Sequence, residues 1–137
     1  MTEPFTGGCA CGAVRFEVAG EPADMNHCQC RQCQHASGTG HGSHLTFVGA
    51  EITLSGPANH WTVTGEMGTR KSRAFCPTCG HPAYITFPDM PGVFVVFAGS
   101  LDDPGRFAPQ VTMWAAAAKA WDAVDPALPS FARMPPR

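Results

Sequence analysis

Short runs in which apolar and polar residues alternate recur along most of this 137-residue chain. In 13-AVRFEV-18 the alternation has the period of two expected of a half-buried strand. Similar runs are 45-LTFVG-49, 51-EITLSG-56, 60-HWTVTG-65, 70-RKSRAF-75, 83-AYITF-87 and 93-VFVVFAG-99. Gly or Pro stands in nearly every gap, which predicts a mainly β, antiparallel, turn-rich architecture. Residues 30–37 predict a short helix or turn ending near Gly38. The segment 112-TMWAAAAKAWDAV-124 is ambiguous. Its alanines favour helix, whereas its place after the strand-like 106-RFAPQVT-112 favours extended chain. The tail 125-DPALPSFARMPPR-137 holds four prolines and is expected to wrap the surface in extended form.

Composition narrows the class without changing that picture. Fifteen glycines and thirteen prolines, about a fifth of the chain, fit short strands better than long helices. A formal charge of −2 with 15% charged residues gives no electrostatic footprint for nucleic acid or an anionic membrane. The longest apolar runs, such as 93-VFVVFA-98, are far too short to span a bilayer. The start, MTEPFTGGCACG, has no basic segment followed by an apolar one, so a cytoplasmic location is expected. The length predicts a single domain over residues 1–137.

Seven cysteines are what set this chain apart. An odd count, tight spacing and no secretory signal fit metal binding better than a disulfide scaffold. Two groups have the form of metal knuckles, 8-GCACG-12 and 76-CPTCGH-81. In each, a glycine that tolerates positive φ lets backbone amides turn toward the sulfurs. Each pair supplies half a tetrahedral site, so Cys9, Cys11, Cys76 and Cys79 together predict a closed, structural zinc. A redox reading of the CxxC needs a βαβ context that is missing here.

Cys28, Cys30 and Cys33 remain, within 27-HCQCRQCQH-35. Three protein ligands plus an exchangeable fourth mark a reactive zinc site. His27, His35, His41 and His44 lie close enough in sequence for one of them to close it as Cys3His. The alternative for each is an ordinary solvated or hydrogen-bonded histidine. His81 reads as a neighbour of the knuckle or a surface residue, and His60 as either. Three thiolates make a poor activator of water, and a soft sulfur is the better fourth ligand. That chemistry points to a small thiol held as a nucleophile.

The order of motifs resembles the family of glutathione-dependent formaldehyde-activating enzymes, whose domain also occurs in centromere protein V. It reads 7-GGCACGAVRF-16, 27-HCQCRQC-33, Ser37-Gly38, 73-RAFCPTCG-80, 98-AGSLDDP-104, Trp121 and 128-LPSF-131. The resemblance implies an Mss4-like fold of several coiled antiparallel β-sheets organised around zinc. It implies a structural zinc on Cys9, Cys11, Cys76 and Cys79, and a second on Cys28, Cys30 and Cys33, the candidate catalytic residues. The activity implied is condensation of formaldehyde with glutathione to S-(hydroxymethyl)glutathione, a carbon–sulfur lyase-type reaction. Many relatives carry Arg after the third clustered cysteine, where this chain has Gln34 and then His35. The stretch 39-TGHGSHLTF-47 is also richer in Gly and His than theirs. The resemblance further implies that 110-QVTMWA-115 continues a strand, leaving 116–121 open between helix and strand.

Glutathione's two carboxylates would need Arg31, Arg70, Lys71 or Arg73 within reach, each otherwise an ordinary solvated charge. Asp102 and Asp103 read as turn formers, and Phe47, Trp61, Phe75, Phe87, Phe94 and Phe97 as core. The competing functions are a non-enzymatic zinc module for a small thiol or protein partner, and a redox or zinc-storage role for the cysteine trio.

Overall fold

A computed structural model describes residues 3–136. The strands are β1 Phe5–Gly8, β2 Arg15–Ala19, β3 Asp24–Cys28, β4 Gly42–Val48, β5 Glu51–Ser55, β6 Asn59–Thr64, β7 Arg70–Phe75, β8 Pro82–Thr86, β9 Val93–Phe97 and β10 Val111–Met113. One α-helix, α1 Arg31–Ser37, follows β3. The fold is mainly β, as the alternation predicts. Strands β1, β2 and β5 form a three-stranded sheet, and the other seven pair in the order β10-β3-β4-β9-β8-β7-β6. All pairings are antiparallel except β10 with β3. Among the described residues, no helix is long and apolar enough to cross a membrane.

The core lies between the two sheets. Phe5, Phe16 and Val18 of the smaller sheet meet Leu45, Phe47, Tyr84, Phe94 and Val96 of the larger one. Edge-on aromatic pairs, Phe5–Phe47 at 5.4 Å and Phe16–Phe94 at 6.4 Å, lock them together. Each such side chain contributes roughly 1.5–3 kcal/mol by leaving water.

Strand alternation sends the intervening residues to the opposite face. Register aligns Asn26 with His44 and His44 with Phe97, and Thr46 with Val95, Val95 with Ile85, and Ile85 with Arg73. Slipping one strand by a single residue would drive His44 or Arg73 into the apolar core, so the hydrophobic pattern fixes which face carries the polar groups.

Several expectations need correction. Trp61 is exposed and not core, while Phe75, Phe87 and Phe97 are only half-buried. The alanine-rich segment makes no α-helix: a single 3-10 turn spans Ala115–Ala117, and irregular chain follows. Nor does the strand run to residue 115, because Trp114 turns it with φ 61°. The backbone amides of Trp114, Ala115 and Ala116 donate to Arg133, Phe131 and Ala132 of the tail. Those bonds replace the i→i−4 ladder that alanine's propensity favours, a tertiary override of a weak local preference. The tail is expected to be extended, but residues 125–136 are irregular, with a turn at 126–127, a single bridge from Ser130 to Thr112 and bends at 132–134.

Candidate metal centres

The first cysteine group is assembled from two turns distant in sequence. Cys9 and Cys11 follow β1, and Cys76 and Cys79 follow β7, where a register shift between Ala74 and Phe75 bends the strand into the knuckle. Gly12 and Gly80 adopt φ 81° and 75°, the left-handed conformation the knuckle reading predicts. Val14 N–H donates to Cys9 Sγ at 3.3 Å and Thr78 N–H to Cys76 Sγ at 3.3 Å. The backbone amide of His81, foremost among several hydrogen bonds, lowers the Cys79 thiol to about 5. All four sulfurs lie within 4.8 Å of one another, and Cys9–Cys11 and Cys11–Cys76 are each 3.7 Å apart. A tetrahedral ion with bonds of about 2.3 Å would hold its sulfurs about 3.8 Å apart, so this group fits zinc.

The second group comes from one continuous stretch. Cys28 ends β3, Cys30 is the N-cap of α1, and Cys33 sits in its first turn. The cap is a sulfur accepting the Cys33 amide at 3.4 Å, and Gly38 with φ 75° ends the helix where expected. The three sulfurs also lie within 4.8 Å of one another. Hydrogen bonds from Cys28 and then Cys33 hold the Cys30 thiol down to about 2 against burial, with the Lys71 charge assisting. The same bond to Cys30 pushes Cys28 up.

Among the described residues, no histidine joins either group. His35 is on the exposed side of α1 beside Arg31. His27 bonds Ser43 Oγ at 2.9 Å, and His41 meets the buried Asp122 carboxylate at 2.9 and 3.0 Å. Ser72 engages His60 at 3.2 Å. His44 differs. Its Nδ1 lies 3.3 Å from Asn26 Oδ1, and its Nε2 is buried without a partner. Burial, then the Arg73 and Lys71 charges, lowers its pKa to about 3, so the ring is neutral. Asn26 Nδ2 donates to Asp24 at 2.7 Å, which leaves its oxygen to accept from His44 Nδ1–H. The lone pair then sits on Nε2.

A cavity of about 410 Å³ opens on this face of the large sheet, reaching from Cys28 and Cys33 past His44, Arg73 and Lys71. A second, wider groove of about 700 Å³ lies between the two cysteine groups and touches Cys9, Cys33, His41 and His81. Of the four candidate cations, Arg70 is paired with Asp89 at 2.6 Å and Arg31 is bonded to Gln34. Lys71 and Arg73 are the ones that line the cavity beside the trio. Gln34 is buried and donates to the Gln29 and Ala117 carbonyls, at 3.0 and 3.1 Å. It ties α1 to the 3-10 turn and does not line the cavity. Asp102 is more than a turn former: it bonds Arg15 Nη1 at 2.8 Å and Thr6 Oγ1 at 2.8 Å. Asp103 caps the following turn through Gly105 N–H at 3.1 Å. The His44–Asn26 pair was missed from sequence, although His44 falls out of phase with Leu45 and Phe47 in its strand.

A family model described as glutathione-dependent formaldehyde-activating enzyme matches residues 4–117. The chain belongs to that family. A Halomonas elongata protein whose name assigns it to the same family is 31% identical over 109 residues. The match covers 70% of this chain and 64% of that protein, so the chain spans somewhat less than two-thirds of its curated relative. The crystal structure of a Rhodobacter sphaeroides protein superposes with a TM-score of 0.54 at 21% identity, covering 92% of this chain and 98% of that one. That likeness concerns the fold. Family membership agrees with the motif order, and Asp122 and the C-terminal tail lie beyond the matched residues.

Proposed function

We propose that this chain is a single-domain, cytoplasmic zinc enzyme that joins a small thiol to an aldehyde. The reaction is of the carbon–sulfur lyase type, as in formation of S-(hydroxymethyl)glutathione from formaldehyde and glutathione. Cys9, Cys11, Cys76 and Cys79 hold a structural zinc, and Cys28, Cys30 and Cys33 hold the reacting one. One observation carries this reading: the four-sulfur group is complete, whereas the three-sulfur group, equally compact, borders a cavity. Family membership supports the choice of glutathione and formaldehyde.

Cys28, Cys30 and Cys33 would hold a zinc ion that, when bound, would supply Lewis acidity favouring an ionised thiol at neutral pH. Lys71 and Arg73 place positive charge beside the cysteines and so reduce the electrostatic cost of bringing in another anionic sulfur. In the reaction the substrate sulfur forms the C–S bond and the carbonyl π pair moves to oxygen, which takes a proton from solvent. The adduct hydroxyl is offered an acceptor by His44 Nε2. Val95 and Ile85 line the same cavity and limit the water near the new bond.

Metal analysis with cobalt substitution tests this. Two ions per chain are expected, and glutathione should raise the sulfur-to-cobalt charge-transfer absorption of one of them. The same protein should accelerate disappearance of formaldehyde in the presence of glutathione, followed by carbon NMR, and Cys30→Ser should abolish the acceleration. One ion per chain with a spectrum indifferent to glutathione would instead favour a non-enzymatic metal module.

A further inference from the structure

The lining of the cavity beside the cysteine trio combines two unlike sets of side chains. One is polar, with His44 Nε2 and Arg73 Nη1 both buried and unpartnered. A guanidinium nitrogen left this way is costly, and native structures normally give it an anion. The cavity's own carboxylates do not serve. Asp24 accepts from Asn26 at 2.7 Å, and Glu66 pairs with Arg133 at 2.9 Å. Among the described residues, neither Arg73 nor Lys71 forms an ion pair.

The other set is apolar and solvent-exposed. Val48, Met67, Met90 and Met134 all line the cavity, although each is a large apolar side chain left exposed, Val48 at 63% and Met67 at 66%. Met113, which pairs with Cys28 across β10 and β3, lines the cavity beside the trio, so four of the chain's six methionines face one cavity. Single exposed apolar residues are ordinary, but a contiguous set around a concave opening marks a binding surface. Methionine is the side chain best able to repack around apolar ligands of differing shape.

We propose that this cavity binds an amphipathic monocarboxylate, its head on Arg73 and Lys71 and its tail along the methionine-lined mouth. A volume of about 410 Å³ is in the range of small-ligand sites and accommodates a chain of roughly eight to ten carbons. Arg73 supplies directional hydrogen bonds to the carboxylate and Lys71 a point charge. This goes beyond the thiol chemistry and does not depend on it, because binding is read without turnover.

The test is calorimetric titration of the zinc-loaded full chain with octanoate, octanol and acetate. Octanoate should bind at least ten-fold more tightly than either of the others, since only it engages both the cations and the apolar lining. Met67→Asp, on an exposed turn, should weaken octanoate ten-fold or more. Arg73→Gln should erase the preference for octanoate over octanol while leaving octanol unchanged. Trp121→Ser, an exposed apolar residue outside the cavity, should change nothing. Octanoate binding no better than acetate would overturn the proposal. So would Arg73→Gln leaving octanoate affinity intact while loosening the metal, because Arg73 would then only balance the cysteine charge. Octanoate binding together with a cobalt spectrum indifferent to glutathione would retain this inference and remove the thiol reading. The reverse pair of results would remove this inference alone.

Discussion

The two cysteine groups set the same donor atoms in different surroundings. The four-sulfur group joins the chain just after β1 to the knuckle after β7, drawing together segments more than sixty residues apart. The three-sulfur group lies within six residues, so closing it ties together little chain. The first is ringed by turn amides, with Cys11 exposed. The second is deeper, flanked by Lys71 and Arg73, and set against a cavity. Donor number and the neighbouring sheet face, not sulfur chemistry itself, are what distinguish the proposed staple from the proposed reactive centre.

That contrast is open to direct attack, beginning with the staple. Cys76→Ser removes a fully buried sulfur from the long-range group and should cost roughly 4 kcal/mol or more, a fraction of the ~10–16 kcal/mol a structural zinc supplies. Denaturant unfolding would show it, and wild-type stability would end the structural assignment. Cys30→Ser should do the opposite. The protein should stay folded within about 1–2 kcal/mol, lose one of its two metal ions and lose thiol-dependent activity. Loss of folding comparable to that of Cys76→Ser would erase the distinction.

A subtler probe strikes the second centre through its support. A Cβ on Gly42 would fall 2.8 Å from His44 Cε1, 2.9 Å from His44 Nε2 and 3.3 Å from Cys33 Cβ. Gly42→Ala should therefore cost about 1–3 kcal/mol and speed chelator removal of one metal ion, leaving the other's rate unchanged. Equal effects on both rates would mean that the centres are mechanically coupled.

The smallest effect concerns the surface pair that fastens β2 to the chain after β9. Arg15, with help from Thr6, holds the Asp102 carboxyl down to about 2. A folded pKa below the unfolded one gives stability that is present above about pH 4 and lost as pH falls toward 2. Both side chains are well exposed, so solvent screening keeps the contribution under about 1 kcal/mol. The stability difference between wild type and Asp102→Asn, measured by denaturant titration, should narrow as pH is lowered from 5 toward 2. A difference that widened would place the stabilising interaction elsewhere.

Much of the site was legible because metal ligation is written in spacing. CxCG and CPTCG specify turns whose geometry depends only on local residues, and the trio's positions at a strand end and a helix N-cap are equally local. Strands with strong alternation were legible for the same reason. Strand β3, reading DMNHC, was not anticipated, because both its faces carry polar residues that find partners only across the sheet. The alanine run misled in the other direction, since the tail takes the amides that a helix would have used.

From the sequence alone came the mainly β class, the sorting of seven cysteines into four and three, and the family. Only the tertiary structure decided which cations line the cavity beside the trio, that of these four histidines it is His44, not His27, His35 or His41, whose unpartnered ring nitrogen is buried, and that four methionines share one cavity. The reason is physical. Turn and ligand geometry is set by neighbours along the chain, whereas the occupancy of a sheet face is set by register between strands that the sequence does not place side by side.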